Sequence, residues 1–142
     1  MNNQAKNLLG LVLFVMVLGA GCGRGVDNAN GLATALKRNG IEYQVIEPVD
    51  FDDFSHAKID EAIALKGDNL WVEILRIEDE KTYKLFVVSW LLLGAAETKV
   101  QQRLPGRPDI YSKRPFVIII RQEPQKGHVK EVLKRILPEQ EG

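Results

Sequence analysis

The chain has one cysteine, Cys22, and two histidines among its 142 residues. A lone cysteine has no partner within the chain, so an internal disulfide framework is excluded. His56 and His128 lie far apart, and neither has a second histidine at ligand spacing, which argues against a zinc site. Ser89 and Ser112 lack the flanking glycines of a Gly-x-Ser-x-Gly elbow. A glycine-rich phosphate loop is also missing, because Gly19, Gly21, Gly23 and Gly25 belong to the N-terminal segment. Charge of one sign is lacking too: 19 Lys+Arg stand against 19 Asp+Glu. Nothing global therefore points to nucleic acid as a partner.

Two further patterns fail on detail. Asp50-x-Asp52-Asp53 has the spacing of an aspartyl phosphotransferase nucleophile or the first half of a calcium loop. Position 54 is Phe, where a calcium loop needs an oxygen ligand, and no glycine follows. The phosphotransferase type would require a larger domain and further motifs. The sequence thus assigns no catalytic residue, no metal and no cofactor.

What is present begins at the N-terminus. Residues 1–7 are polar with one base, Lys6. Residues 8–18 are apolar apart from Gly10, a run of about 11 residues against the roughly 20 that span a bilayer. Gly19-Ala20-Gly21 then supplies small residues that let a peptidase bind the backbone in extended form. This is the order of a cleaved export signal. Cys22 follows at once, with a sulfur suited to thioether acylation at the membrane surface.

Ala20, Gly21 and Cys22 make the segment resemble a bacterial lipoprotein signal, with Gly19 standing where that signal prefers leucine. The resemblance implies a signal peptide at 1–21, palmitate-class acyl chains on Cys22, a lipidated tether at 22–29 and an exported, membrane-anchored lipoprotein. Gly23 is not Asp, so in a host with two membranes the outer membrane is expected in preference to the inner. Loss of Lys6 with the signal leaves 18 bases against 19 acids, a net charge of −1.

The remaining chain is one domain in length. Asn28 and Asn30 offer helix-capping side chains. Leu32, Ala35 and Leu36 fall at helical spacing, and Gly40 stands at the helix end, which predicts a helix over 30–39. Residues 41–45 alternate with period two, as a half-buried strand does, and Pro48 closes it. Phe51 and Phe54, in an acidic loop, are expected to dip into the core. Residues 62–66 and 70–77 read as strands joined by a three-residue hairpin, Gly67-Asp68-Asn69. Apolar residues on both faces of the second strand predict a central position.

From Leu85 to Ala96 only Ser89 is polar, which fits a buried core helix. The β-branched pair Val87-Val88 leaves a strand open. Residues 104–115 read as a proline-rich basic loop. Residues 116–121 form an interior strand. Val129, Val132, Leu133, Ile136 and Leu137 trace the cleanest helical stripe. Pro138 ends it, and 139–142 form a tail. The expected domain, 30–138, is α+β in the order α-β-β-β-α-β-α, with a mixed, mostly antiparallel sheet of about four strands packed by helices. Leu32, Leu36 and Gly40, with Pro108, Tyr111 and the strand from Phe116 to Ile120, also resemble a recurrent type of small exported bacterial domain. That likeness implies the fold and no activity.

Charge is unevenly spread along the chain. Seven acids and one base lie between Glu42 and Glu61, and ten bases and three acids between Lys99 and Arg135. The loop with Arg107, Asp109, Tyr111, Lys113 and Arg114 is the candidate binding surface, because arginine and tyrosine are favoured interface anchors. The competing reading is a structural loop whose Tyr111 packs on the sheet. The function expected is that of a non-enzymatic, lipid-anchored envelope domain that meets a protein partner or the membrane surface. The alternative is a small hydrolase or ligand-binding module in which some of Asp50, Asp52, His56, Tyr111 and His128 converge.

Overall fold

The computed structural model describes residues 26–49, 58–100 and 108–138, the side chains of 93–100 excepted. The domain is α+β. Helix α1 (Ala29–Arg38) is followed by β1 (Val45–Pro48), β2 (Glu61–Gly67), β3 (Leu70–Arg76), α2 (Glu80–Val100), β4 (Asp109–Lys113), β5 (Phe116–Gln122) and α3 (His128–Ile136). The five strands form one sheet in the order β1-β2-β3-β5-β4, and each neighbouring pair is antiparallel.

α1 starts where the sequence places it. The Asn28 side chain accepts a hydrogen bond from the Gly31 N–H at 2.7 Å, supplying one of the helix's unpaired donors with an acceptor. Gly40, at φ +90°, takes the left-handed conformation that follows a helix end. Leu32, Ala33 and Leu36 are fully buried. With Val129, Val132 and Leu133 of α3 they cover one face of the sheet, against Leu65, Val72, Ile74, Phe116, Ile118 and Ile120. The opposite face carries a smaller cluster, in which Leu75, Val117 and Ile119 meet Phe86 of α2, with Tyr83, Val87 and Trp90 packed alongside. β3 is buried on both faces at Val72, Glu73, Ile74 and Leu75, as a central strand requires.

The structure departs from the sequence reading at four places. The sheet has five strands, because Asp109–Lys113 is a strand and not part of a loop. Its alternation is hard to see in sequence: only Ile110 and Tyr111 are apolar, and they face opposite sides. An edge position tolerates the polar remainder and the flanking prolines. The first strand begins at Val45, four residues later than its period-two pattern. Ile41 and Tyr43 are nonetheless buried, so the alternation reports burial of a segment that joins the ladder only where Gln44 N–H bonds Lys66 O at 2.9 Å.

The hairpin loop is two residues, Asp68-Asn69, with Gly67 paired to Leu70 inside β2. Gly67 serves close approach: a Cβ there would lie 2.9 Å from Gln44 Oε1 and 3.1 Å from the Glu42 carbonyl. Finally, the apolar run after Leu85 is helical, but only one of its faces enters the core. Residues 50–57, including Phe51, Phe54 and His56, lie outside the described residues.

Candidate functional site

α2 is set against the sheet by its first turn. Asp79 precedes the helix, and its carboxylate accepts from both the N–H and the hydroxyl of Thr82, each at 2.8 Å. Those two hydrogen bonds hold the Asp79 pKa below the usual carboxylate range, with Lys58 and Lys81 adding a smaller pull. Glu80 is also lowered, first by its hydrogen bond and charge pairing with Lys84, then by Arg114. Tyr83 turns inward, and its hydroxyl stands 3.5 Å from the Phe116 carbonyl. Burial raises its pKa, while Ser112 and Arg114 oppose the shift.

Phe86 is buried, and its ring centroid lies 6.2 Å from that of Trp90. Tyr83, Phe86, Val87 and Trp90 thus make the inner face of α2. The outer face is apolar as well: Leu85 is 60% exposed, Val88 50%, Leu91 62% and Leu92 65%. Lys81, Leu85, Val88 and Leu92 follow one another at i, i+4, i+7 and i+11, so they share a stripe. A helix apolar all round is normally enclosed. Here the described residues cover one side only. Large apolar side chains gathered on an outer face mark an interaction site more often than scattered single ones do.

A second group of side chains lies on the same sheet face. A β-bulge opposite Trp71 and Val72 leaves Arg121 without a paired residue. Arg121 Nε donates to Glu73 Oε1 at 2.8 Å, and its guanidinium carbon lies 5.3 Å from the Trp71 ring centroid. Lys66 Nζ is also 5.3 Å from that centroid and forms an ion pair with Glu47. Glu73 is 4% exposed, and its Oε2 has no hydrogen-bond partner among the described residues. That oxygen is closed off from solvent, so no solute reaches it. Each of the two cations in this group is matched by a carboxylate. The group ties β1, β2, β3 and β5 together and offers no open ligand position.

The candidate loop residues do not form a common surface. Tyr111 is buried on β4, and its hydroxyl donates to the Leu137 carbonyl at 2.8 Å. Asp109 accepts from Lys130 of α3 at 3.1 Å. Lys113 is half-buried at the end of β4. Arg114 reaches the other way, donating to the Glu78 carbonyl at 3.2 Å and meeting Glu80 at 3.3 Å. Arg107 and Cys22 lie outside the described residues, as do Asp50 and Asp52. His128 is the first residue of α3. Among the described residues no group of three His, Cys, Asp or Glu side chains is placed to hold a metal, and no helix is long and apolar enough to cross a membrane.

The outer face of α2 escaped the sequence reading, although its signal was present. The run from Leu85 was read as core by composition alone, while its 3.6-residue period divides it into two apolar faces. No protein-family model matches the chain, and neither a curated protein nor a solved structure does.

Proposed function

We propose that the chain is a lipid-anchored envelope domain that acts by binding and not by catalysis. The observation that carries this reading is the combination of a lipobox-like segment ending at Cys22 with a domain that exposes Leu85, Val88, Leu91 and Leu92 on one helix face. An apolar surface of that kind suits contact with another apolar surface. The small residues before Cys22 and the short apolar run at 8–18 support cleavage at Gly21–Cys22 and acylation of the new N-terminus. A single acyl chain holds a protein to a bilayer only marginally, so stable anchoring requires a second chain or a second contact. Gly23 supports the outer membrane as the destination where a host has two.

Intact-mass measurement of the membrane fraction tests the anchor. The expected species starts at Cys22 and carries the added mass of acyl chains, and Cys22→Ser shifts the protein to an unacylated mass. A wild-type mass that retains residues 1–21, or that lacks acyl groups, refutes the reading.

A further inference from the structure

We propose that the outer face of α2, formed by Leu85, Val88, Leu91 and Leu92, lies along the bilayer that holds acylated Cys22, with Lys81 and Lys84 at headgroup level. The inference rests on the lipid-anchored reading and adds to it an orientation and a second membrane contact.

Three observations select a bilayer as the occupant. The first is where the tether enters the domain. Ala29 N–H donates to Glu61 Oε2 at 2.6 Å, and Glu61 Oε1 meets Arg76 Nε at 3.3 Å. Arg76 also pairs with Glu78, two residues before α2 begins. The chain arriving from Cys22 therefore joins the domain at the end of the sheet from which α2 starts. The seven residues from Cys22 to Ala29 reach at most roughly 23–25 Å. Leu85 to Leu92 occupy about 7–18 Å of helix axis beyond Glu80. An anchor at Cys22 thus leaves the apolar face within reach of the same membrane.

The second observation is charge. Between Lys81 and Ala96 the only charged residues are Lys81 and Lys84. Lys81 continues the stripe of Leu85, Val88 and Leu92. Lys84 stands at i−4 and i−7 from Val88 and Leu91, and also meets Glu80 at 2.6 Å. Lysines at the end of an apolar stripe lay their alkyl stems on it and raise their ammonium groups toward water. Their sign matches anionic headgroups. The third is shape. α2 does not qualify as a membrane span, and its inner face is committed to Leu75, Val117 and Ile119. A helix with one face held by its own domain and an apolar outer face can lie only in the plane of the interface.

The test uses the full chain, produced in a bacterial host that acylates lipoproteins and reconstituted in vesicles of equal parts phosphatidylcholine and phosphatidylglycerol. Leu92→Cys supplies a labelling site on the outer face of α2, and Glu131→Cys a control on the exposed side of α3. Both positions are exposed, and circular dichroism checks that each variant folds as the parent does. An environment-sensitive fluorophore is attached, and nitroxides on the lipid chains serve as depth quenchers. The expected result is a blue-shifted label at position 92, quenched several-fold more than the label at 131. Equal, weak quenching at both positions overturns the proposal. A label at 92 shielded from aqueous iodide but untouched by the lipid nitroxides also overturns it, and identifies a protein or a second copy as the occupant. The parent chain keeps the two readings apart: acylated Cys22 takes no label. A parent Cys22 that reacts overturns the anchored reading, and with it this one.

Discussion

Glu73 and Tyr111 illustrate how single side chains are used in this domain. Glu73 is almost fully buried on the central strand and has one charge partner, Arg121, which a bulge in β5 turns toward it. Removing one partner of a buried pair leaves a charge that neither water nor protein stabilises. Arg121→Met is therefore expected to cost about 2 kcal/mol, less than for a fully enclosed pair because the Arg121 side chain is 35% exposed. Glu73→Leu combined with Arg121→Met should recover most of that loss in a urea denaturation series. A double variant no more stable than Arg121→Met would show that the loss comes from the Trp71 stacking and not from the stranded carboxylate. Tyr111 was singled out by sequence for its polar tip, yet that tip serves the fold by bonding the Leu137 carbonyl. Tyrosine carries the same signature in a core and in an interface, so composition cannot separate the two.

Among the elements, α2 depends most on its first turn. The Asp79 carboxylate caps the helix through Thr82 and has a lowered pKa in the folded state. A depressed folded pKa means that the carboxylate contributes stability above its unfolded pKa and loses that contribution as pH falls through the folded value. Asp79→Ala is thus expected to lower the Tm at neutral pH. The gap from wild type should close in acid, once Asp79 is protonated in both states. Parallel thermal melts across the acid range measure this, and a gap independent of pH would rule out the charged cap as its source. The helices α1 and α3 were legible within one or two residues, because capping residues and an i, i+3, i+4 stripe are properties of the chain itself. Strand β4 was not, because an edge strand with polar residues loses the apolar alternation that announces a strand.

At the scale of the molecule, one antiparallel sheet carries two unequal cores. The larger is roofed by α1 and α3 and the smaller by α2. Leu133 is fully buried in the larger one, while both tryptophans, Trp71 and Trp90, report from the opposite face. Leu133→Ala is expected to cost about 2–5 kcal/mol. If the sheet couples its faces, tryptophan fluorescence and far-ultraviolet circular dichroism shift to the same new midpoint. A fluorescence midpoint left at the wild-type value would mean that the faces unfold separately. The amino-acid sequence by itself determined the α+β class, the central place of β3, the amphipathic faces of α1 and α3, and the Cys22 segment on which the proposed anchor rests. Periodicity and capping are local, and they survive without knowledge of what packs where. Only the tertiary structure decided that α2 buries one of its two apolar faces, that Tyr111 points inward and that Gly67 makes room for a neighbouring backbone. A helix can lay only one side on a sheet, and which side that is depends on partners distant in the chain.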